Sequence, residues 1–356
     1  EYACADQKWC YNTSAYDPDG DSLSYELIPC KGENCLSMNI PAVYQYPHDL
    51  AGGTLSIDPV TGTLCWENPE FVGEYNLAIK ISEYRQGVFI GSVIRDMQVT
   101  VQVCNNNAPS IEVVNDVCVD ANENIFELFQ ATDVDNDIVT LTATGAIFNA
   151  SSNPASFTAN NGAGLASGSF AWTPNCEDVR DEAYNVVLTA EDNSSPVQLK
   201  DIFVWRITVR TPPVENLIVQ PLGNTMQLNW DAVNCGNIDR YNVYRATDSL
   251  VASSCCDPGA ANSLGYELIG ETDENTTNYI DNSELSVGIN YCYVVTAVLE
   301  NGSESCPINV DCGELDFEVP IITRVSIITT DNTVGQDSVM WSSPKELNTL
   351  TFPGPY

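Results

Sequence analysis

The sequence Asp17-Pro-Asp-Gly-Asp21 runs directly into the strand-like segment Ser22-Leu-Ser-Tyr-Glu-Leu27. The same arrangement returns as Asp133-Val-Asp-Asn-Asp137, followed by Ile138-Val-Thr-Leu-Thr142. In both places an acidic loop precedes a short segment with the alternation typical of a half-buried strand. This recurrence predicts that the chain repeats one kind of β-sheet domain.

The two acidic loops are candidate calcium sites. Calcium takes about six to eight oxygen ligands and tolerates irregular geometry, so carboxylates at alternate positions of a short loop suit it. The predicted ligands in these loops are Asp17, Asp19, Asp21, Asp133, Asp135 and Asp137. The alternative is an ordinary acidic turn, because Asp and Gly are common turn residues.

Composition limits the fold and the partners. Of 356 residues, 49 are Asp or Glu and 13 are Lys or Arg, which gives a formal net charge of -36. Such a charge repels nucleic acid and anionic membranes, so neither is expected as a partner. Sustained helical periodicity is missing, and short alternating segments lie between clusters of Asn, Asp, Gly, Pro and Ser. The predicted fold is all-β, built of tandem Ig-like β-sandwiches.

The chain has 14 cysteines and one histidine. The close cysteine pairs lack the spacing of structural zinc sites, so disulfides are the interpretation. Disulfides predict an oxidising, extracellular location. No signal peptide begins at Glu1 and no apolar run could span a bilayer, so we expect a mature N-terminus or a segment of a longer chain.

In the first repeat, residues 1–104, the acidic loop is followed by a hairpin with the turn Asp58-Pro-Val-Thr-Gly62, and Val99-Thr-Val-Gln-Val103 closes the repeat. This order resembles a cadherin-like module in its bacterial, immunoglobulin-like form. The linker Asn105-Asn-Asn-Ala-Pro109 is similar to the Asn-rich junctions of cadherins, which implies that Asn105 and Asn107 help to bind calcium. Leu64-Cys-Trp66 stands where animal cadherins carry a Leu-Asp-Arg-Glu calcium motif, so their full three-calcium junction is not expected.

The second repeat, residues 105–211, can be laid over the first. Tyr184 falls on Tyr75, and eight residues beyond each tyrosine stands an acid, Asp192 or Glu83. A repeated calcium site would need an acid at this place in both repeats, so these two are further candidate ligands. The alternative is that they are solvated acids at strand ends.

Cysteine and tryptophan positions give further expectations. Cys30 and Cys35 bracket a short segment and are predicted to pair. Cys118 at the head of the second repeat and Cys176 after its Trp172 strand are also predicted to pair, contributing about 3–4 kcal/mol in the loop-entropy account. Trp66 and Trp172 stand at matching positions and are predicted to fill the cores rather than to form a sugar-binding platform.

Residues 212–318 carry Trp230 on one predicted strand, Tyr241 and Val243 on the next, and Leu285 to Tyr291 further on. This order resembles a fibronectin type III domain, in which the tyrosine hydroxyl bonds back to the backbone. Cys292 is expected to pair with Cys306 or Cys312.

Residues 319–356 repeat the first two strands of that domain, with Trp341 in the place of Trp230. Two strands cannot bury a core alone. We therefore expect a fragment of a longer chain, with strands that borrow a partner as the alternative.

The whole arrangement is similar to one group of proteins. The chain resembles the large gliding-motility-associated surface proteins of Bacteroidota, which use type IX secretion and a C-terminal sorting domain. The resemblance lies in residues 16–25, 170–176, 291–293 and 319–323. The resemblance implies a bacterial cell-surface location and contact with the outer-membrane secretion and motility machinery. It also implies O-glycosylation where Asp precedes Ser or Thr and an apolar residue, which fits Ser22, Ser249 and Ser338.

These observations favour a non-enzymatic stalk or adhesin segment, stiffened by disulfides and calcium and mediating adhesion or gliding. No nucleophile motif or catalytic metal cluster points to an enzyme. The alternatives are a subunit of an extracellular filament, with self-association through donated strands, and a module that binds a surface polysaccharide or a protein ligand. The sequence leaves the ligand open.

Overall fold

A computed structural model describes residues 1–31, 44–149, 151–195, 197–247, 261–315, 322–331 and 333–341. Within these residues the chain is all-β, as predicted, and its one α-helix is α1, Pro47–Ala51. No described helix has the length and apolar character needed to cross a membrane. The chain divides into an N-terminal unit, Glu1–Arg210, and a C-terminal unit, Thr211–Tyr356. The finer division at residues 104 and 318 stays a prediction.

The described residues of the first repeat form a two-sheet sandwich of seven strands. These are β1 (Tyr2–Cys4), β2 (Trp9–Tyr11), β3 (Ser22–Ile28), β4 (Thr54–Ile57), β5 (Leu64–Glu67), β6 (Gly73–Arg85) and β7 (Val88–Gln102). One sheet has the order β1-β7-β6-β3 and the other β2-β5-β4. β1 pairs with β7 in parallel, with Tyr2 opposite Thr100, and the other pairs in these sheets are antiparallel.

Alternation along these strands builds the first core. Leu64 and Trp66 on β5 are fully buried, and the Trp66 indole packs edge-on against Tyr75 at 5.3 Å between ring centroids. The indole N–H of Trp66 donates to the Gly52 carbonyl at 2.9 Å, which satisfies the buried donor. The prediction that Trp66 is a core residue is confirmed.

The second repeat is also a two-sheet sandwich. Its strands are β8 (Ser110–Ile111), β9 (Val117–Asp120), β10 (Ile125–Thr132), β11 (Ile138–Thr144), β12 (Ser156–Asn160), β13 (Gly162–Ala163), β14 (Leu165–Trp172), β15 (Tyr184–Glu191) and β16 (Lys200–Arg210). The sheets have the orders β12-β14-β10-β8 and β13-β11-β15-β16-β9. Trp172 is buried and contacts Tyr184 as Trp66 contacts Tyr75, so its predicted core position is also confirmed.

The two repeats contact each other within the N-terminal unit. Cys4 of the first repeat is buried in one cluster with Val197 and Leu199 of the second. The hydroxyls of Ser14 and Thr144 are 3.0 Å apart. These contacts show that the repeats touch through side chains as well as through the linker.

The C-terminal unit contains a third sandwich. Its strands are β17 (Ile218–Leu222), β18 (Thr225–Asn229), β19 (Ile238–Ala246), β20 (Glu267–Asp273), β21 (Asn278–Asp281), β22 (Asn290–Leu299) and β23 (Val310–Glu314), in the orders β17-β18-β21 and β20-β19-β22-β23. Trp230 is buried against Tyr241, and the Tyr291 hydroxyl accepts the Ser286 N–H at 3.0 Å. This last bond is the predicted tyrosine corner.

Beyond this sandwich, β24 (Ile322–Thr329) and β25 (Gln336–Trp341) form an antiparallel hairpin. The apolar side chains of Val325, Ile327 and Trp341 are exposed. The hairpin therefore buries no core of its own among the described residues, as two strands alone cannot.

The predicted disulfides need one correction. Cys30 is a half-buried free thiol, so the predicted Cys30–Cys35 bridge is wrong for Cys30, and Cys35 lies outside the described residues. Sequence proximity misled the prediction, because the bridges Cys4–Cys104 and Cys10–Cys65 join segments that only folding brings together.

Of the other cysteine predictions, one is confirmed and one stays a prediction. Cys292 pairs with Cys312, one of the two partners foreseen. Cys118 and Cys176 are each disulfide-bonded, and their mutual pairing stays a prediction.

Candidate metal site

The acidic loop of the second repeat joins β10 to β11 and is held by its own backbone. Asp133 Oδ1 accepts the N–H groups of Asp135 at 2.9 Å and of Asp137 at 3.1 Å. Asn136 adopts a left-handed conformation with φ of 64°, which Asn tolerates better than most residues. One carboxylate oxygen from each of the three aspartates lies within 4.8 Å of the others.

Asp133 has an unmatched oxygen. Its side chain is only 7% exposed, and its Oδ2 is buried with no hydrogen-bond partner among the described residues. A buried polar oxygen without a partner costs about 1–3 kcal/mol, and more when it is charged. A cation at this oxygen would remove that cost.

The linker between the repeats closes over this loop. The backbone N–H of Asn107 donates to Asp135 Oδ2 at 2.6 Å, and the Asn107 side-chain amide donates to both oxygens of the same carboxylate. The Asn106 amide donates to Asp192 Oδ2 at 2.8 Å. Asn106 Oδ1 is buried and lacks a partner within the described chain. Asn106 is hydrogen-bonded to Asp192, and the charge of Asp133 acts on the same carboxyl, so both residues with an unmatched oxygen are neighbours of Asp192.

Asp192 lies on the other side of the linker and is 2% exposed. Burial raises the pKa of this carboxyl, hydrogen bonds from Ser194, Asn106 and Leu199 oppose that rise, and the charge of Asp133 adds to it. Because the charge of Asp133 acts on this buried carboxyl, the junction gathers negative charge in a space with little water. Such a space favours a divalent cation.

Most residues of this site were predictable from the sequence, and one was not. The predicted residues Asp133, Asp135, Asp137, Asn107 and Asp192 meet at the junction, whereas Asn105 is exposed and contributes no contact there among the described residues. Asn106 was missed because the run of three asparagines does not show which one points inward. Its Oδ1 and the carboxylate oxygens of the aspartates are the kind of oxygen donor that Ca²⁺ prefers.

A disulfide holds the linker beside the site. Cys4 on β1 is bonded to Cys104, the residue that precedes the three asparagines. The Gln7 side-chain amide donates to the Asn106 carbonyl, which adds a second tie from the first repeat. The linker is therefore bound to both repeats.

The acidic loop of the first repeat has the same backbone and a different occupant. Asp17 Oδ1 accepts the N–H groups of Asp19 at 2.8 Å and Asp21 at 3.1 Å, as in the second loop. However, Arg85 Nε is 3.0 Å from both carboxylate oxygens of Asp21, and Arg85 Nη2 is 3.1 Å from Asp19 Oδ2. The guanidinium supplies the positive charge that an ion would otherwise bring.

The pKa values of two acids at this loop are shifted in opposite directions. Hydrogen bonding to Arg85 lowers the pKa of Asp21. The pKa of Glu83 is raised by partial desolvation, by its hydrogen bond to Asp21, and by the charges of Asp17 and Asp21. Glu83 thus lies at the first loop, where the overlay of the repeats placed it. This loop is a predicted calcium site whose carboxylates already have a cationic partner.

The predicted glycosylation positions stay predictions. The Ser22 hydroxyl donates to the Tyr84 carbonyl at 3.2 Å, Ser338 lies half-buried on β25, and Ser249 is outside the described residues.

Comparisons with known proteins add little beyond this geometry. No family profile matches the sequence, and no curated protein matches it. Among solved structures, the chain is similar to zebrafish RET cadherin-like domains 1 to 4, with 12% identity, a TM-score of 0.24, and coverage of 84% of this chain and 66% of that chain.

Two further structures are similar at the same level. The chicken CNTN1 FN1–FN3 domains share 11% identity, with a TM-score of 0.23 and coverage of 73% of this chain and 83% of that chain. The ICAM-5 D1–D4 ectodomain fragment shares 10% identity, with a TM-score of 0.27 and coverage of 88% and 73%. These TM-scores are too low to support an inference about this chain. The description of the fold therefore rests on the strand orders and registers given above.

Proposed function

We propose that this chain is a non-enzymatic adhesion segment of a cell-surface protein, whose N-terminal unit is stiffened by disulfides and by one calcium ion at the inter-repeat linker. The observation that carries the calcium proposal is the buried, unmatched Asp133 Oδ2, on one of three aspartates that each offer an oxygen within 4.8 Å of the others. A second buried, unmatched oxygen, Asn106 Oδ1, lies in the linker that contacts Asp135 and Asp192. Only the second acidic loop has this feature among the described residues, so the proposal concerns that loop.

The residues of the junction would act together. Asp133, Asp135 and Asp137 would hold the ion from the loop, and Asn106 would reach it from the linker. A bound calcium ion would supply positive charge that removes the repulsion among these carboxylates. Because Asn106 and Asn107 belong to the linker, holding them would restrict the movement of one repeat against the other.

The proposed location follows from the cysteines. The bridges Cys4–Cys104, Cys10–Cys65 and Cys292–Cys312 need an oxidising compartment. The resemblance to gliding-motility-associated surface proteins supports a bacterial cell surface as that place, with type IX secretion as the export route.

The test of the calcium proposal is thermal unfolding of the full chain with 10 mM calcium, with 10 mM magnesium, and with chelator. Extracellular calcium modules bind at about 0.1–1 mM. Ligand at about 100 times its dissociation constant adds roughly 2.7 kcal/mol of stability. We expect calcium to raise the melting temperature of the N-terminal unit by about 5–10 °C, a rise that Asp133→Asn abolishes.

Asp17→Asn is the matched control, because it makes the same change in the loop that Arg85 occupies. It should keep the calcium-induced rise. An equal melting temperature in calcium and in chelator would overturn the calcium proposal and leave disulfides and packing as the stiffening elements.

A further inference from the structure

The outer face of the sheet β12-β14-β10-β8 differs from the rest of this acidic chain. Its strands pair in regular antiparallel register, so side chains alternate cleanly between the core and solvent. Over Ile125–Thr132, Ser156–Asn160 and Leu165–Trp172, the solvent-facing positions of these strands carry no charged residue. Across the whole chain, 17% of residues are charged.

We call the strip of this face from β12 to β10 the trough, because the central strand carries small side chains and β10 carries large ones. Small side chains line its floor on the central strand β14, at Ser167, Ser169 and Ala171. Phe126 and Leu128 on β10 rise along one side and are 61% and 59% exposed. The register places Phe126 beside Ala171 and Leu128 beside Ser169.

The opposite side of the trough is polar. Thr158 pairs with Ser169 and Asn160 with Ser167, and both side chains on β12 are exposed. Neither Thr158 nor Asn160 has a side-chain hydrogen-bond partner among the residues that the structure describes. One wall is therefore apolar, and the other offers a hydroxyl and an amide to a ligand.

We propose that this trough binds a neutral polysaccharide. A sugar ring has an apolar face of C–H groups and a rim of hydroxyls, which match Phe126 and Leu128 on one side and Thr158 and Asn160 on the other. Ligand sites combine apolar surface with a few polar groups in this way. The two walls are about 10 Å apart, since neighbouring strands lie about 4.8 Å apart.

Charge decides between neutral and ionic polymers. An anionic polymer would meet a chain with a net charge of -36. A cationic partner would find no carboxylate at the outward positions of β10, β12 and β14, because the exposed Glu112 lies beside Gln130 at the edge beyond β10 and outside the trough. The opposite sheet of the same repeat is different, because its outward positions on β16 include Lys200, Arg206 and Arg210.

A second uncharged face supports the choice of Phe126 as the anchor. This face lies on the sheet β17-β18-β21 of the C-terminal unit, and its outward residues include Gln220, Gln227 and Asn229. The only charged residue of these three strands is Asp281, which points inward and is buried. That face has no outward aromatic residue. We therefore assign the polysaccharide site to the face that has one.

The proposal rests on the adhesive role proposed above and names its ligand class. The test is co-sedimentation of the full chain with insoluble cellulose, with chitin and with mannan, with calcium alginate gel as the anionic comparison. We expect retention on at least one neutral polymer and none on alginate. Phe126→Ala should weaken retention about tenfold, as truncation of an aromatic anchor commonly does, and Ser169→Glu should abolish it.

Phe71→Ala is the matched control, because Phe71 is 59% exposed and lies in the first repeat. It should leave retention unchanged, and all three variants should keep the melting temperature of the parent chain. No retention on any neutral polymer would overturn the proposal. So would retention that Phe126→Ala and Ser169→Glu leave intact, or association of copies through this face without polymer binding. The calcium-induced rise in melting temperature does not involve the trough, so failure of one proposal is distinguishable from failure of the other.

Discussion

The two acidic loops of the N-terminal unit have the same sequence pattern and the same backbone hydrogen bonds, yet they differ in what neutralises them. In the loop at 17–21, Arg85 contacts both Asp19 and Asp21. In the loop at 133–137, no arginine or lysine pairs with the acids among the described residues, and Asp133 keeps a buried oxygen without a partner. A local motif thus defines the shape of the loop, whereas a residue from a distant strand decides whether that loop needs an ion.

The largest change in stability is expected from Asn106→Ala, which alters the linker over the second loop. The change leaves Asp192 Oδ2 buried without its donor, so we expect the free energy of unfolding to fall by about 1–3 kcal/mol. Urea unfolding of the full chain in calcium measures it. Asn105→Ala is the control, because that neighbour is exposed, and it should change stability by less than about 0.5 kcal/mol. Equal effects of the two changes would show that Asn106 does not hold the junction.

Arg85→Ala should make the first loop resemble the second. Losing this surface ion pair should cost little stability in chelator, and the freed carboxylates of Asp19 and Asp21 should then bind calcium. Isothermal titration calorimetry should detect a second binding event in this variant. Arg95→Ala, which removes an exposed arginine elsewhere on the same sheet, should bind as the parent chain does. A parent chain that already binds at both loops would contradict the role given to Arg85.

Gly20→Asn tests whether the two loops share a backbone. Gly20 has a φ of 83° and its counterpart Asn136 a φ of 64°, so Asn should fit at Gly20. A Cβ at Gly20 would be 3.7 Å from Arg180 Cδ, which is an ordinary contact. We expect a loss of stability below about 1 kcal/mol for Asn and a larger loss for Gly20→Val, since β-branched residues resist this conformation. Thermal unfolding in chelator compares the two, and equal losses would indicate that the loops differ in backbone.

The smallest expected effect is in the titration of single acids. In chelator, the pKa of Asp21 should lie below the ordinary value because of Arg85, and that of Asp192 above it because of burial. Asp21 therefore contributes stability that is present above its unfolded pKa and is lost as the pH falls through its lowered folded pKa. For Asp192 the sign is opposite, since its protonation favours the folded state. Carbon NMR of the side-chain carboxyls measures both, and an Asp21 pKa at or above the ordinary value would contradict the Arg85 pairing.

Much of the fold followed from local pattern. The turn at 58–62 and the strands around it are where alternation placed them, because an Asp-Pro start and a Gly at positive φ favour a tight turn. Trp66 and Trp172 are buried because each occupies an inward position of an alternating strand. The tyrosine corner at Tyr291 is a short-range bond to Ser286, so nearby residues suffice to predict it.

The disulfides and the site depended on long-range pairing, which spacing does not reveal. Cys30 stood near Cys35 in sequence, yet it is a free thiol, and Cys4 bonds to Cys104 because β1 lies in parallel beside β7. Asn106 looks like its neighbours in the sequence. Only the position of Asp192 makes it the buried member of the three.

By itself, the sequence determined the all-β class, the repeated acidic loops, the core tryptophans and the acidic net charge, since these depend on residue type and on alternation along one strand. The tertiary structure alone decided that Arg85 neutralises the first loop, that Asn106 closes over the second, and that the uncharged residues of three strands share one face. The physical reason is that charge pairing and burial depend on distances across sheets. Those distances are set by register and packing, not by order along the chain.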